Sequence, residues 1–366
     1  MPPASNTLEW DPDLLGNHRA VIEVDRDADA VLLTVPWRRR DREVAGKGVI
    51  LLADGSPEPI HNVIRISATR DVGRFAFQPA RGPGAYFLYY LPFTGDPQAH
   101  YPALEYRPYQ QTADPAWVAK HGLDSPAARS AAALPEARFA RLESVDEHNA
   151  FTRMEHPATQ EEVERLLERH PDEAFLLFLE DRTCPIRMRH DIPAHWAASG
   201  PSEFRGAARP GEFYVFQLGV FAARGDLRGL TVTFSDLRSA EATVHASRFR
   251  CLNLGGIGWD GRPFSKAVHV ARGDVQALWC GVEIPRDAAA GTYSAGVIVG
   301  AGGRQARAAR LAITVAGAPI ENAGDDEPWR LSRLRWLDSI KGSEDEIVPP
   351  FTPVVIEGHR LRILGR

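Results

Sequence analysis

Cysteine is scarce: Cys184, Cys251 and Cys280 are the three in 366 residues. They are odd in number and lack the close paired spacing of a zinc site, which argues against a metal site or a nucleophile. The expectation is three buried structural thiols, with no metal and no cofactor. Long apolar runs are also missing, since none approaches the ~20 residues that span a bilayer. Met1-Pro2-Pro3-Ala4-Ser5-Asn6 lacks both the basic and the apolar stretch of an export signal. As written, the chain reads as soluble and cytoplasmic, and a trimmed secreted protein would read the same. A basic excess is lacking too. With 43 Lys and Arg against 48 Asp and Glu, the formal net charge of -5 excludes nucleic acid and an anionic membrane as the main partner. Arg38, Arg39 and Arg40 form the compact basic cluster, and Asp41 and Glu43 after them suggest a solvated mixed-charge loop.

Catalytic signatures are absent as well: the chain has no H-E-x-x-H, no G-x-S-x-G and no P-loop. Gly256-Ile257-Gly258-Trp259-Asp260-Gly261 does match G-x-G-x-x-G. That fingerprint works by opening a helix whose N-terminus holds pyrophosphate, whereas Arg262-Pro263-Phe264 and a strand-like Ala267 to Val270 follow here, so a tight surface loop is expected. The loop sets the aromatic plane of Trp259 beside the carboxylate of Asp260. Sugars offer C–H faces to rings and hydroxyls to acceptors, which makes these two the candidate carbohydrate-binding residues. The competing account is that Trp259 lids the core. Glu180, Asp181 and Asp191 are the carboxylates that could form a glycosidase pair, although Arg182, Arg187 and Arg189 beside them favour ion-paired structural roles.

What the chain has in abundance is strand. Ala20–Val24, Ala30–Val35, Gly48–Leu52, Val63–Ile66, Phe75–Gln78 and Ala85–Phe93 are β-branched or apolar runs of strand length, most with turn residues close by. The last holds Tyr86, Phe87, Leu88, Tyr89 and Tyr90, apolar on both sides of a strand, so it should be central, with one face under a helical connector. Eight further runs lie between Phe175 and Val315. Helix signals concentrate in between: Asp114-Pro115, Ser144 with Glu147, and Thr159 with Glu162 have capping spacing. The expected fold is mainly β: two β-sandwiches, immunoglobulin-like or related, at 8–112 and 173–320, a helical connector at 113–172, and a linker with the start of a further β module at 321–366. Val354-Val355-Ile356 and Leu361 to Leu364 flank a Gly-containing turn and predict a C-terminal hairpin. Trp329, Leu334, Trp336 and Leu337 should dock the segment before it by apolar burial.

Asn62 to Gly84, Tyr89 to Phe93, Asp181-Arg182, Pro185 to Met188, Pro210 to Gln217, Val275 to Val282, Ser332 to Ser339 and Leu364-Gly365-Arg366 form a set of segments. Together they resemble the N-terminal region of large bacterial multidomain glycoside hydrolases. The resemblance implies β-sandwich modules preceding a further β-rich module and a barrel-type glycosidase domain. The chain would then end as the third module begins, leaving no family catalytic residue to carry over. The expected role is an accessory one, scaffolding and glycan engagement, with carbohydrate and a downstream catalytic domain as partners. The alternatives are a self-sufficient glycosidase using a carboxylate pair in an inter-domain cleft, and an adhesion or assembly module.

Overall fold

The computed structural model describes residues 10–364 apart from 97–99, 102 and 343–345; Met1–Asn6 and Gly365-Arg366, both used above, lie outside the described residues. The fold is mainly β. It divides into two compact units, one made of the chain up to Pro171 with Asp191–Gly200, the other of Asp172–His190 with the chain from Pro201 onward.

In the first unit, α1 (Pro12–Leu15) precedes β1 (His18–Val24), β2 (Val31–Val35), β3 (Ile50–Ala53), β4 (Val63–Ala68), β5 (Gly73–Phe77) and β6 (Gly84–Tyr89). β7 (Phe93–Thr94) and β8 (Glu105–Tyr106) form a small separate pair. Helices α2 (Pro115–Lys120) and α3 (Pro126–Ala131) follow, then β9 (Glu136–Ser144), α4 (Gln160–Arg169) and, after the excursion into the other unit, α5 (Ala194–Ser199). The sheet order is β3-β6-β1-β9-β2-β5-β4. Along it β5 and β6 stand four spacings apart, about 19 Å at ~4.8 Å per strand, yet the rings of Phe77 and Tyr86 lie with centroids 5.4 Å apart. One sheet therefore folds over its own core, where Ile22, Leu33, Phe75, Phe77, Tyr86 and Leu88 meet.

β9 corrects the expected connector. It pairs antiparallel with β1 and parallel with β2, in the middle of the sheet. Its sequence, Glu-Ala-Arg-Phe-Ala-Arg-Leu-Glu-Ser, is rich in good helix formers, and the open edges on either side override that preference. Ser144 ends this strand and caps no helix. Asp114 and Thr159 do cap: Asp114 accepts from Ala116 N and Trp117 N, and Thr159 with Glu162 makes a reciprocal capping box. β6 has both faces covered, but not as anticipated. Tyr86, Leu88 and Tyr90 face the core, while Phe87 and Tyr89 pack with Val21, Leu52, Trp10 and Leu15. Trp117, Val118 and Leu123, from α2 and just beyond it, instead cover Ala30, Ile64 and Ala76.

The Arg38–Arg40 loop is likewise built in rather than solvated. Arg39 is buried, donates to both oxygens of Asp41 at 2.8 Å and to Tyr90 O at 3.0 Å. Arg38 holds Glu162 with a two-pronged pair at 2.6 and 2.8 Å. That guanidinium, aided by the capping N–H of Thr159, brings the Glu162 carboxyl down to about 2. A folded value below the unfolded one means stability fully present above about pH 4.5 and lost as pH falls toward 2. Acid unfolding followed by circular dichroism should therefore decline between those limits in the native chain. The Glu162→Gln variant should decline less over the same window, and an identical decline would remove Glu162 from the account.

In the second unit β10 (Leu176–Asp181), β11 (Phe204–Ala208), β12 (Phe213–Phe221), β13 (Thr231–Phe234), β14 (Leu237–Arg238), β15 (Thr243–Val244), β16 (Phe249–Cys251), β17 (Gly255–Ile257), β18 (Pro263–Ser265), β19 (Val275–Glu283), β20 (Gly291–Ala301) and β21 (Arg304–Val315) follow in order. One sheet runs β10-β12-β19-β16; a second runs β11-β21-β20-β14-β15, with β13 also on β20. A single core joins them: Tyr214, Phe216, Leu278 and Val282 from the first meet Tyr293, Val297, Leu311 and Ile313 from the second. The outer face of β12 is covered too, because buried Gln217 ties down the segment after β10, accepting from Ile186 N at 2.8 Å and donating to Cys184 O at 3.3 Å.

The C-terminal hairpin forms as expected, β22 (Val355–Glu357) on β23 (Arg360–Arg362), and all six residues are exposed. The docking of the stretch before it is different in kind. Trp329, Trp336 and Leu337 are exposed, and the buried side chains there are Asp325, Arg330 and Ser332. Polar bonds hold this segment. Asp325 accepts from Ser332 Oγ, Arg335 and Trp336 Nε1 at 3.1, 2.6 and 3.1 Å.

Candidate functional site

The G-x-G-x-x-G run folds as a hairpin, β17 on β18, with no helix after it. Gly258 N donates to Arg262 O at 2.8 Å and Gly261 N to Gly258 O at 2.9 Å, closing a tight tip. Gly261 takes φ +74, the left-handed region that suits glycine. Gly256 sits where a Cβ would come within 2.9 Å of Leu337 O, so the hairpin leans directly on the backbone of the 3₁₀ run Ser332–Asp338. Trp259 at the tip is 95% exposed, which rules out the lid-on-core account. Asp260 is its neighbour in a different capacity: Oδ1 accepts from Arg262 N at 3.1 Å and helps close the turn. Phe264, opposite Gly256, is also exposed.

The base of this hairpin opens on a cleft of about 450 Å³. Asn253 and Lys266, the residues just outside the two strands, line it together with Arg187, Arg189, His269 and Gln276. Lys266 N bonds Leu254 O at 2.8 Å and fixes the two ends of the hairpin against each other. Arg189 is brought in by its carbonyl, which accepts from Val275 N at 2.6 Å, and by Asp274, which accepts from His190 Nδ1 at 2.8 Å and lies 3.4 Å from Arg189 Nε. Two further groups are turned into donors by their partners. His269 Nδ1 accepts from Gly229 N at 3.1 Å, so the ring proton sits on Nε2. Asn253 Oδ1 accepts from Trp279 N, leaving its NH₂. Among the described residues no carboxylate belongs to the lining. The cleft thus presents cations and N–H groups to anything that enters, an arrangement suited to acceptor-rich or anionic ligands.

Sequence reasoning named Trp259 and Asp260 as candidates and did not reach the cleft. Asn253 and Lys266 bracket the glycine-rich run and were visible in principle, but Arg187 and Arg189 come from a loop some 65 residues earlier, placed by Gln217 and Val275. The expected carboxylates do not assemble. Glu180 and Asp181 are successive residues of a strand and project to opposite faces. Asp181 accepts from Tyr214 OH at 2.6 Å and from Thr183 N and Oγ1 at 2.9 and 2.8 Å. Burial pushes its carboxyl up, but these bonds outweigh it and hold it below the usual range, which is unsuited to a general acid at neutral pH. Asp191 belongs to the other unit and accepts from Arg70. Among the described residues no three His, Cys, Asp or Glu side chains could hold a metal ion.

Two segments of the sequence resemblance, Asp181-Arg182 and Pro210 to Gln217, do converge, and Arg330 joins them. Glu212, 0% exposed, takes Arg182 Nη1 on Oε1, and on Oε2 Arg330 Nη1 at 3.1 Å and Arg209 N at 2.8 Å. The Arg182 and Arg330 guanidinium carbons lie 5.0 and 4.3 Å from the ring centre of Trp329. Both Glu212 oxygens are bonded and the three charged groups are buried under the part-exposed Trp329 ring, so the cluster is structural.

Residues 8–145 match the sequence model of the glycoside hydrolase 123, N-terminal domain. The resemblance to the N-terminal region of glycoside hydrolases is borne out. No curated protein matches the chain. Solved structures similar to it include a family 123 glycoside hydrolase from Clostridium perfringens, 13% identical over 40% of this chain and 28% of that one, TM-score 0.31. Others are a PapD-like domain of human CEP192, 13% identical over 40% and 89%, TM-score 0.23, and the periplasmic chaperone SfaE, 13% identical over 32% and 57%, TM-score 0.22. The chain thus spans little more than a quarter of that glycoside hydrolase.

Proposed function

We propose that this chain is the accessory N-terminal portion of a carbohydrate-active glycoside hydrolase and that it engages glycan at the Trp259 hairpin and the cleft at its base. The observation that carries the reading is Trp259, held almost wholly in solvent on a hairpin braced against the Ser332–Asp338 backbone. A large apolar ring kept there gains nothing for the fold, and a ring of this kind offers a stacking face to a sugar. Asp260 contributes by shaping the tip. The donor-lined cleft favours a saccharide carrying carboxylate or sulfate groups, and hydrolysis is assigned to a separate domain of the same protein. Glycoside hydrolase association of residues 8–145 supports the carbohydrate context.

Isothermal titration of the full chain with a neutral oligosaccharide and with its uronate-bearing and sulfated counterparts tests this. The acidic ligands should bind more tightly, weaken as salt is raised, and lose several-fold affinity in Lys266→Ala. Absence of binding to all three, or binding indifferent to both Trp259 and Lys266, would overturn it.

A further inference from the structure

Cys251 ends β16, Cys280 lies within β19, and the register makes them direct partners. Leu252 N donates to Trp279 O at 2.9 Å. The Leu252–Trp279 position is therefore hydrogen-bonded, and the preceding Cys251–Cys280 position is not. At such a position facing Cα atoms are about 4.5 Å apart and the side chains are at their closest, inside the roughly 4.4–6.8 Å that a disulfide requires. Facing residues also share one side of the sheet: Cys280 is part of the core of the second unit and Cys251 packs against it. The Cys280 thiol donates to Leu278 O at 3.7 Å, a long contact that leaves its sulfur beside that of Cys251.

We propose that Cys251 and Cys280 are a modification site, an oxidation-closed clasp in which a peroxide-class oxidant converts the facing thiols to a cross-strand disulfide. Their unequal burial sets the order of events. Burial first, then the neighbouring Cys251 sulfur, raises Cys280 well above the ordinary thiol range, whereas the adjacent Cys280 thiol draws partly exposed Cys251 down against its own burial. Cys251 is the thiolate that meets the oxidant. Its sulfur attacks the peroxide, the S–O bond forms, the O–O bond breaks and hydroxide leaves, giving a sulfenic acid. The Cys280 sulfur then attacks the Cys251 sulfur, the S–S bond forms, and the S–O oxygen leaves as water with the Cys280 proton. Two thiols lose two electrons and one peroxide becomes two waters. The closed clasp ties the strand leading into the Trp259 hairpin to β19. It does not depend on the glycan reading, since its readouts are covalent.

Titrating the folded full chain with hydrogen peroxide is the test. The expected product has an intact mass lower by two hydrogens, one alkylatable thiol at Cys184 after denaturation, and a reducible link between tryptic peptides 251–266 and 273–286. Cys184→Ser should leave the mass change intact and Cys251→Ser should abolish it. Amide exchange at 249–254 should slow at least tenfold on oxidation. Cys280 is core-packed and its replacement risks misfolding, so partly exposed Cys251 carries the variant test. A link through Cys184, or Cys251 climbing to sulfinic acid while Cys280 stays alkylatable, would overturn the clasp.

Discussion

Replacing Glu212 with glutamine is expected to destabilise the second unit by about 3–5 kcal/mol, the cost of leaving buried charge uncompensated. The substitution keeps the shape and removes the charge. Arg182 and Arg330 would then face one another in a site where Glu212 is fully buried and both arginines nearly so. Glu327, which accepts from Arg330 Nε at 3.0 Å, is part-exposed and serves only one of the two cations. Calorimetry should show the transition of this unit falling by about 2–4 °C per kcal/mol, with the transition of the other unit unmoved. Amide exchange at Pro328–Asp338 should quicken, because Arg330 and its carbonyl, which accepts from Arg182 at 3.3 Å, anchor that stretch. A loss under 1 kcal/mol would show that water reaches the cluster and that the segment is held some other way.

The same cluster shows why part of the fold was legible and part was not. Strand runs such as Val31–Val35 and Phe213–Phe221 announce themselves because burial on one or both faces demands apolar, β-branched residues locally. Asp114 and Thr159 cap helices through bonds two and three residues away, so spacing alone reveals them. β9 carries no such mark: its place between β1 and β2 is decided by partners more than 100 residues distant. The Trp-rich tail was misread for a related reason. Tryptophan and leucine suggest apolar docking, but Arg330 finds its partner in Glu212 and Asp325 finds Ser332 and Arg335, and an ion pair closed across 118 residues leaves no periodic trace.

For the candidate site the balance is similar. Trp259 could be singled out because an aromatic in a glycine-rich turn has few neighbours to pack against. The cleft could not, because its character comes from which atom of each group is already occupied. His269 is a donor at Nε2 only because Gly229 N takes Nδ1, and Asn253 offers its NH₂ only because Trp279 N takes Oδ1. Residue type was visible and hydrogen-bond direction was not.

Trp259→Ala should leave folding untouched and remove most of the glycan affinity. At 95% exposure the ring has almost no buried area to lose, so the unfolding midpoint should stay within the ±0.5 kcal/mol typical of surface substitutions. A tryptophan acting as the anchor of a binding surface is worth about 2 kcal/mol on truncation, roughly 30-fold in Kd. Trp259→Phe, which keeps a smaller stacking face, should recover part of that loss. Asp260→Ala should behave differently, because releasing Arg262 N loosens the tip that presents the ring: affinity falls less and amide exchange at Gly258–Arg262 rises. Unchanged affinity in Trp259→Ala, with binding still lost in Lys266→Ala, would move the site wholly into the cleft. Loss of stability in Trp259→Ala would mean that the ring supports the fold after all.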